Sequence, residues 1–398
     1  MEGLDPQGLA LPPAPRLESE LVGGEMAELY WRALTRDVPF SQYDTNMLTA
    51  SAVTDLRQFS AYRNVSTGSL FRGGLPGEDV GPFISQFLWM NIPYGAQTIR
   101  QQYRVPLAND DYMTSYASWL SIQNGNPPTS GNNFDATNRY IRNGRDLAEW
   151  DHRDFTFQGF LNAALILLGY GAAALDDANP YKTSATQGGF ATFGGPHVLD
   201  MGARIANLAL KCAWFQKWQV HRRVRPEAYA GLVHLTKNGQ ARYPVDAKLL
   251  NSLALGATLA KHGTFLLPMA YPEGCPTHPA YPGGHATIAG ACTTILKAVF
   301  KESFVIPNPV IPNDDGTTLN PLTGVKLTIG GELNKLASNV AYGRDTAGVM
   351  LGEALAISVL QDFNSCFNEK FDGFTFTKFD GSTITIDQKS GRVGRFER

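Results

Sequence analysis

Apolar residues recur with helical spacing through most of the chain. The spacing predicts helices at roughly 22–36, 81–91, 135–152, 155–176, 197–224, 245–262, 285–302 and 331–366. Strand signals are nearly absent from this part of the sequence, so the pattern predicts an all-α protein. Long connections separate the helices, and loops of such length are usually functional or wrap a partner.

The end of the chain has a different pattern. Residues 374–379 and 382–387 alternate between apolar and polar side chains on the two sides of Asp380-Gly381, which is typical of a β-hairpin. We therefore divide the chain into three segments: a proline-rich, acidic arm at 1–20, a helical-bundle domain at 21–370, and a hairpin with a basic tail at 371–398.

Composition narrows the class of protein. The chain has 398 residues, of which 43% are hydrophobic, and this is ample for a sizeable core. The net charge of −2 gives no general attraction for nucleic acid. The apolar run 160–175 contains Asn162 and is too short for a membrane span, so it predicts a buried helix. Residues 1–20 lack the features of a signal peptide; we predict a cytoplasmic protein by default.

The four cysteines are widely separated. They stand at positions 212, 275, 292 and 366, without CxxC spacing. Such spacing indicates neither a zinc ribbon nor a disulfide framework. We expect reduced thiols in the core.

The segment Cys275-Pro276-Thr277-His278-Pro279-Ala280-Tyr281-Pro282-Gly283-Gly284-His285 carries the first chemical signal. Its prolines hold the backbone extended. The glycine pair then lets backbone N–H groups approach a ligand where a helix begins. This combination suits an anion. The alternative is an ordinary helix N-terminus with a satisfied histidine.

Two basic stretches could serve the same anion. Lys217 and Arg225 are eight residues apart, so they can converge if their helix bends or ends at Pro226. The alternatives are a solvated basic helix end and, more weakly, a nucleic-acid patch. Arg344 follows an apolar helix, where an arginine is commonly a cap or an ion-pair partner.

Taken together, three segments resemble the vanadium-dependent haloperoxidases, specifically their algal and cyanobacterial bromoperoxidase branch. The segments are Lys217…Arg225-Pro226, Pro282-Gly283-Gly284-His285 and Ser338-Asn339-Val340-Ala341-Tyr342-Gly343-Arg344. The likeness extends over at least residues 197–366. It implies helical bundles around a vanadate site and a homo-oligomer. It also implies hydrogen peroxide and halide as substrates, a hypohalous acid equivalent as product, and a small organic acceptor.

The resemblance also implies roles for individual residues. The cofactor-binding residues would be Lys217, Arg225, Gly283, Gly284 and Arg344, because cationic side chains and a backbone N–H neutralise an oxyanion.

The implied catalytic residues are His285, His278 and Lys217. His285 would be the general acid–base on peroxide, His278 would tune the halide pocket, and Lys217 would polarise the peroxide. Trp214 could form a wall of that pocket, although core packing is its commoner role.

Two positions depart from the family pattern. The family carries a vanadium-ligating histidine six residues after the arginine, whereas Met350 stands there in this chain. The segment that bears this histidine and its supporting aspartate is apparently missing, and a thioether suits oxidised vanadium poorly. Gly283 replaces a serine that bonds vanadate. We therefore predict no metal-ligating residue, weakened catalysis, and phosphate that competes nearly one for one with vanadate.

Three functions remain open on the sequence. The favoured one is a vanadate-dependent haloperoxidase. The second is a catalytically impaired homologue that binds phosphate or vanadate, or serves as a structural subunit. The third is a zinc-type site formed by Cys275, His278 and His285, which lacks an evident fourth ligand.

Overall fold

A computed structural model describes residues 11–348 and the backbone of three short strands beyond them. The described helices are α1 (Glu20–Thr35), α2 (Met47–Leu56), α3 (Tyr116–Gln123), α4 (Gly144–Arg153), α5 (Gln158–Gly169), α6 (Gly195–Phe215), α7 (Pro226–Lys237), α8 (Ala247–Leu250), α9 (Leu253–His262), α10 (Gly284–Val299) and α11 (Ile329–Thr346). The predicted all-α class is confirmed.

The described strands form small antiparallel sheets at the margins of the helices. They are β1 (Ile92–Tyr94), β2 (Gln97–Ile99), β3 (Tyr103–Pro106), β4 (Phe134–Arg139), β5 (Val310–Pro312), β6 (Leu319–Pro321), β7 (Gly373–Thr377), β8 (Thr383–Asp387) and β9 (Val393–Gly394). Each pairs with its neighbour as β1–β2, β3–β4, β5–β6 and β7–β8–β9. Phe374 pairs with Ile386 and Phe376 with Ile384, which confirms the predicted C-terminal hairpin.

Two helix predictions were wrong because tertiary contacts and caps override local pattern. The range 81–91 holds only a 3₁₀ turn, Gln86–Leu88. The Asn339 and Glu332 side chains of α11 accept hydrogen bonds from the backbone N–H groups of Ser85 and Gln86, and these contacts fix the chain in a tight turn. The range 135–152 begins as strand β4, and α4 starts only after Asn143, whose side chain caps it.

Other helix boundaries also differ from the predicted ranges. The range 245–262 divides into α8 and α9. Helices α2 and α3 lie outside the predicted helical ranges, and each begins after a side-chain cap, Asn46 or Ser115. The range 331–366 is helical as α11, and its part after residue 348 lies outside the described residues.

Four helices position the site described below. α10 packs against α6 and α11, and α11 packs against α4. Every residue of α11 is buried, so its polar side chains need partners within the protein. Lys335, for example, donates to Glu332 and to the Val80 carbonyl. A second group, α1, α2, α8 and α9, packs together beside α11.

Three smaller predictions concern the rest of the chain. Within the described residues, no helix has the length and apolar character to cross a membrane, and the run 160–175 forms much of the largely buried α5, as predicted. Cys212, Cys275 and Cys292 are buried, and Cys275 and Cys292 are free thiols; Cys366 lies outside the described residues. The described part of the arm lies against its own chain, because the Pro12 and Leu17 carbonyls accept hydrogen bonds from Tyr281 and Tyr229.

Candidate active site

The long helix α6 ends in a π-helical turn that delivers a lysine to the interior. The turn spans Gln216–His221, and Arg222 after it has left-handed backbone (φ 46°). Such a π turn widens the helix and often occurs at functional sites. The predicted helix 197–224 therefore ends early. Pro226 does not end that helix but starts α7, where its missing N–H costs nothing.

Lys217 lies on this turn with its side chain fully buried. Its Nζ donates a hydrogen bond to the Pro279 carbonyl at 2.8 Å. Burying an ammonium group is costly unless it meets oxygen atoms or an anion. Lys217 thus touches the proline-rich segment that leads into α10.

The glycine pair marks the start of α10. Gly283 is the residue before the helix and accepts two hydrogen bonds from Thr287 through its carbonyl, from N at 3.0 Å and from Oγ1 at 2.7 Å. Gly284 is the first helical residue, and the first N–H groups of a helix have no partner within it. The segment thus supplies backbone donors beside His285.

His285 is held by a carboxylate that the sequence analysis missed. Its Nε2 lies 2.9 Å from Oδ1 of Asp154, the residue that follows α4. A carboxylate accepts, so Nε2 carries the proton and Nδ1 keeps the lone pair in the neutral ring. Asp154 and His285 are 131 positions apart, and no local spacing connects them.

Arg344 approaches the same place from the last turn of α11. It is 8% exposed, and its Nη1 donates to the Asp151 carbonyl at 3.3 Å. Its Nε is buried and has no hydrogen-bond partner among the described residues. Gly343 makes this packing feasible, because a side chain there would collide with the Asp151 carboxylate. A buried guanidinium with an unused donor is suited to an external anion.

The charges of Lys217 and Arg344 act on both His278 and His285. Burial lowers the pKa of His285, and the charges of Arg344 and Lys217 lower it further, whereas Asp154 opposes both. Burial, with Lys217 and then Arg344, lowers the pKa of His278 to about 4. Both rings are therefore neutral at pH 7.

His278 also contacts Trp214. Its Nδ1 lies 3.0 Å from the Pro279 carbonyl, and its ring meets Trp214 edge-on with centroids 5.0 Å apart. Trp214 is 44% exposed. Core packing is therefore the wrong explanation for Trp214.

Arg225 points to a different set of partners. Its Nη1 lies 2.8 Å from Oε1 of Glu227 and 3.2 Å from the Cys275 carbonyl, and its Nη2 lies 3.5 Å from Oε1 of Gln123. The other oxygen of Glu227 accepts from the Cys275 N–H at 2.6 Å. Glu227 thus ties Arg225 to the start of the proline-rich segment, and it too escaped the sequence analysis.

The described residues offer one cluster of atoms that could ligate a cation, and it is not the predicted zinc set. Asp151, Asp154 and His285 have ligand atoms within 4.8 Å of one another. Cys275 instead contacts the Gly348 carbonyl through Sγ at 3.5 Å. With Arg344 beside it, the cluster is better explained as a carboxylate-supported histidine. Met350 lies outside the described residues.

Comparisons with known proteins identify relatives of the chain. No family model matches the chain. A vanadium-dependent bromoperoxidase from Ascophyllum nodosum is 38% identical over 414 residues, which cover 95% of this chain and 74% of that protein. Vanadium-dependent bromoperoxidases from Corallina pilulifera and Corallina officinalis are each 34% identical, over 97% of this chain and 77% of theirs.

A solved structure shows the same architecture. It is the homohexameric structure of the second vanadate-dependent bromoperoxidase from Ascophyllum nodosum, which matches with a TM-score of 0.84 and 32% identity. The match covers 95% of this chain and 72% of that one. Identity of this extent, together with the shared fold, means that the chain belongs to the vanadium-dependent bromoperoxidase family.

Proposed function

We propose that the protein is a vanadate-dependent bromoperoxidase, which oxidises bromide with hydrogen peroxide to a hypobromous acid equivalent. The observation that carries the proposal is the buried Arg344 Nε, which has no acceptor among the described residues although the Arg344 charge acts on His285. Such a donor set fits a tetrahedral oxyanion, because the charges of Arg344 and Lys217 both act on His285, which lies in the first turn of α10. Vanadate is therefore the cofactor that we assign.

The residues that would hold vanadate are Lys217, Arg344 and the glycine pair at Gly283 and Gly284. Bound vanadate supplies the electrophilic centre that activates hydrogen peroxide. Lys217 and Arg344 neutralise the negative charge of the oxyanion and remain in place because Pro279 and Asp151 anchor them. Arg225 would complete this set if its side chain left Glu227.

His285 would manage the proton of the peroxide. The hydrogen bond from Nε2–H to Asp154 leaves Nδ1 as the basic atom. A neutral ring at pH 7 can accept a proton from hydrogen peroxide, and the resulting imidazolium is stabilised by Asp154. His278, neutral and packed against Trp214, would form the halide side of the pocket.

We also propose that the chain forms a homo-oligomer, since the similar solved structure is described as homohexameric. Light scattering of the purified protein should give a mass well above 43.4 kDa. A monomer at micromolar concentration would refute this assignment. A small organic acceptor would complete the reaction, and the proposal includes no nucleic acid.

The test of function is bromination of phenol red by purified protein with peroxide and bromide in phosphate-free buffer. We expect turnover that requires added vanadate and is lost in Lys217→Ala. Anion binding without turnover would identify the impaired homologue instead. Stoichiometric zinc on elemental analysis would favour the third hypothesis. Met350→His, assayed in parallel, is expected not to increase activity, because the supporting acidic residue is missing from this sequence as well.

A further inference from the structure

A separate cavity lies against helix α4. Its volume is about 420 Å³, and its walls come from β2, β3, β4, α4 and α5. The side chains that define its chemistry are Arg100, Arg104, Arg153, Trp150, Tyr103 and Phe134. Three arginines beside three aromatic rings are an unusual lining for a protein with a net charge of −2.

The charge of this cavity is not balanced by the protein. Arg153 is engaged by Glu149, with Nε 2.9 Å from Oε1. Arg100 and Arg104 make no ion pair within the part of the chain that the structure describes, and Glu149 is the one acidic residue in the lining. Two guanidinium groups therefore remain available at the cavity mouth.

The aromatic wall is preorganised. Trp150 is 7% exposed, so its ring is fixed by packing. The Arg104 guanidinium lies over the Phe134 ring, 5.0 Å from its centroid. The Tyr103 hydroxyl is already used, because it donates to the Asp146 carbonyl at 2.6 Å. The rings thus give the cavity an apolar wall, on which Arg104 is held over Phe134, and the arginines supply polar recognition.

We propose that this cavity binds an aromatic carboxylate. The arginine fork matches a carboxylate in geometry and charge, and the rings of Trp150 and Phe134 suit a flat aromatic body. The proposal goes beyond the bromoperoxidase function and does not depend on it. The cavity and the proposed anion site use different residues: Trp150 and Arg153 line the cavity, whereas the Asp151 carbonyl accepts from Arg344 and Asp154 holds His285.

The experiment is calorimetric titration of the full-length protein, free of vanadate, with 4-hydroxybenzoate. A ligand of this size should bind with a dissociation constant of about 1 mM. We expect 4-hydroxybenzamide, the neutral analogue, and acetate, which lacks the ring, each to bind at least about tenfold more weakly. The double variant Arg100→Gln/Arg104→Gln should lose binding by about tenfold or more, whereas Arg242→Gln, at an exposed arginine elsewhere, should bind as the natural chain does.

The same titration distinguishes the cavity from the site at Lys217 and Arg344. Binding of 4-hydroxybenzoate should persist in the presence of saturating phosphate and in Arg344→Gln. Loss of binding under either condition would place the ligand at the anion site and overturn the proposal. Equal binding of the amide, or no saturable binding up to about 10 mM, ten times the expected constant, would also overturn it. Circular dichroism of the double variant verifies that it is folded, and Trp150→Ala provides a second test from the aromatic side.

Discussion

Two buried cationic clusters in this protein differ in how completely the protein itself satisfies them. Arg36 and Arg145 lie in a network with Asp37 and Asp111, where Arg145 meets Asp37 at 2.5 and 2.8 Å and Asp111 at 2.9 Å. Arg36 donates to Asp111 and to two backbone carbonyls. Within the described residues Arg344 makes one hydrogen bond, from Nη1 to the Asp151 carbonyl at 3.3 Å, and its Nε has no partner there.

The difference separates structural from ligand-binding arginines. A buried cation that the protein surrounds with carboxylates holds elements together and has no donor left for a ligand. A buried cation with an unused donor carries a cost that an incoming anion can relieve. By this criterion the network of Arg36 and Arg145 is structural, whereas the unused donor of Arg344 supports the proposed anion site.

The largest expected effect is a loss of folding stability when the network of Arg36 and Arg145 is broken. Arg145→Ala should lower the free energy of unfolding by about 3–5 kcal/mol, because it leaves the Asp111 carboxylate, 2% exposed, without one of its cations. Urea denaturation in phosphate-free buffer measures this change in the free energy of unfolding. Arg242→Ala, at an exposed site, is the control and should change stability little. A loss below about 1 kcal/mol in Arg145→Ala would remove the contrast between the clusters.

The second largest effect is expected on the affinity of the proposed site for an anion. Arg344→Gln should weaken phosphate or vanadate binding by about 1.5–3 kcal/mol, the range for a hydrogen bond to a charged group. Its unfolding free energy without anion should fall less than that of Arg145→Ala. Calorimetry with phosphate and urea denaturation measure the two quantities. Unchanged affinity together with a large loss of stability would make Arg344 a structural residue.

Arg225→Ala sharpens the same comparison. If Arg225 leaves Glu227 to bind the anion, its removal should also weaken phosphate binding by about 1.5–3 kcal/mol. Glu227→Gln should then strengthen binding, since it weakens the competing ion pair at 2.8 Å. Unchanged phosphate affinity in both variants would restrict Arg225 to holding the proline-rich segment at Cys275.

A third effect is the dependence of stability on pH. The pKa of His278 is about 4 in the folded chain, against an ordinary value of 6.5. Between these values the unfolded chain binds a proton that the folded chain does not, so stability is lost as pH falls from 6.5 towards 4. One proton gives a slope of at most about 1.4 kcal/mol per pH unit. His278→Gln should flatten the slope in that window and leave stability above pH 7.5 without a new pH dependence; an unchanged slope would contradict the assignment.

The smallest effect concerns Asp154. Because this carboxylate raises the pKa of His285, Asp154→Asn should move the acidic limb of the pH–rate profile to lower pH, by less than about one unit. Bromide oxidation measured across pH detects the shift. Asp200→Asn, at an exposed carboxylate paired with Arg204, should leave the profile in place. A shift of the limb to higher pH would show that Asp154 does not support His285.

The sequence by itself determined the helical class and the C-terminal hairpin. It also supplied the residues that we assign to the proposed anion site, because they lie in short motifs. Helical periodicity and the turn at Asp380-Gly381 are local signals, so they can be recognised without knowledge of the rest of the chain. The Gly283-Gly284-His285 motif likewise marked the start of α10 correctly.

Only the tertiary structure decided which side chains meet. Asp154 reaches His285 across 131 positions, and Glu227 engages Arg225 and the backbone of Cys275 at once. The π turn at Gln216–His221 turned Lys217 inward and freed Pro226 to begin a helix. These features depend on helices packing against one another, and the energy of a buried polar contact is set by the partners that packing supplies rather than by neighbours in sequence.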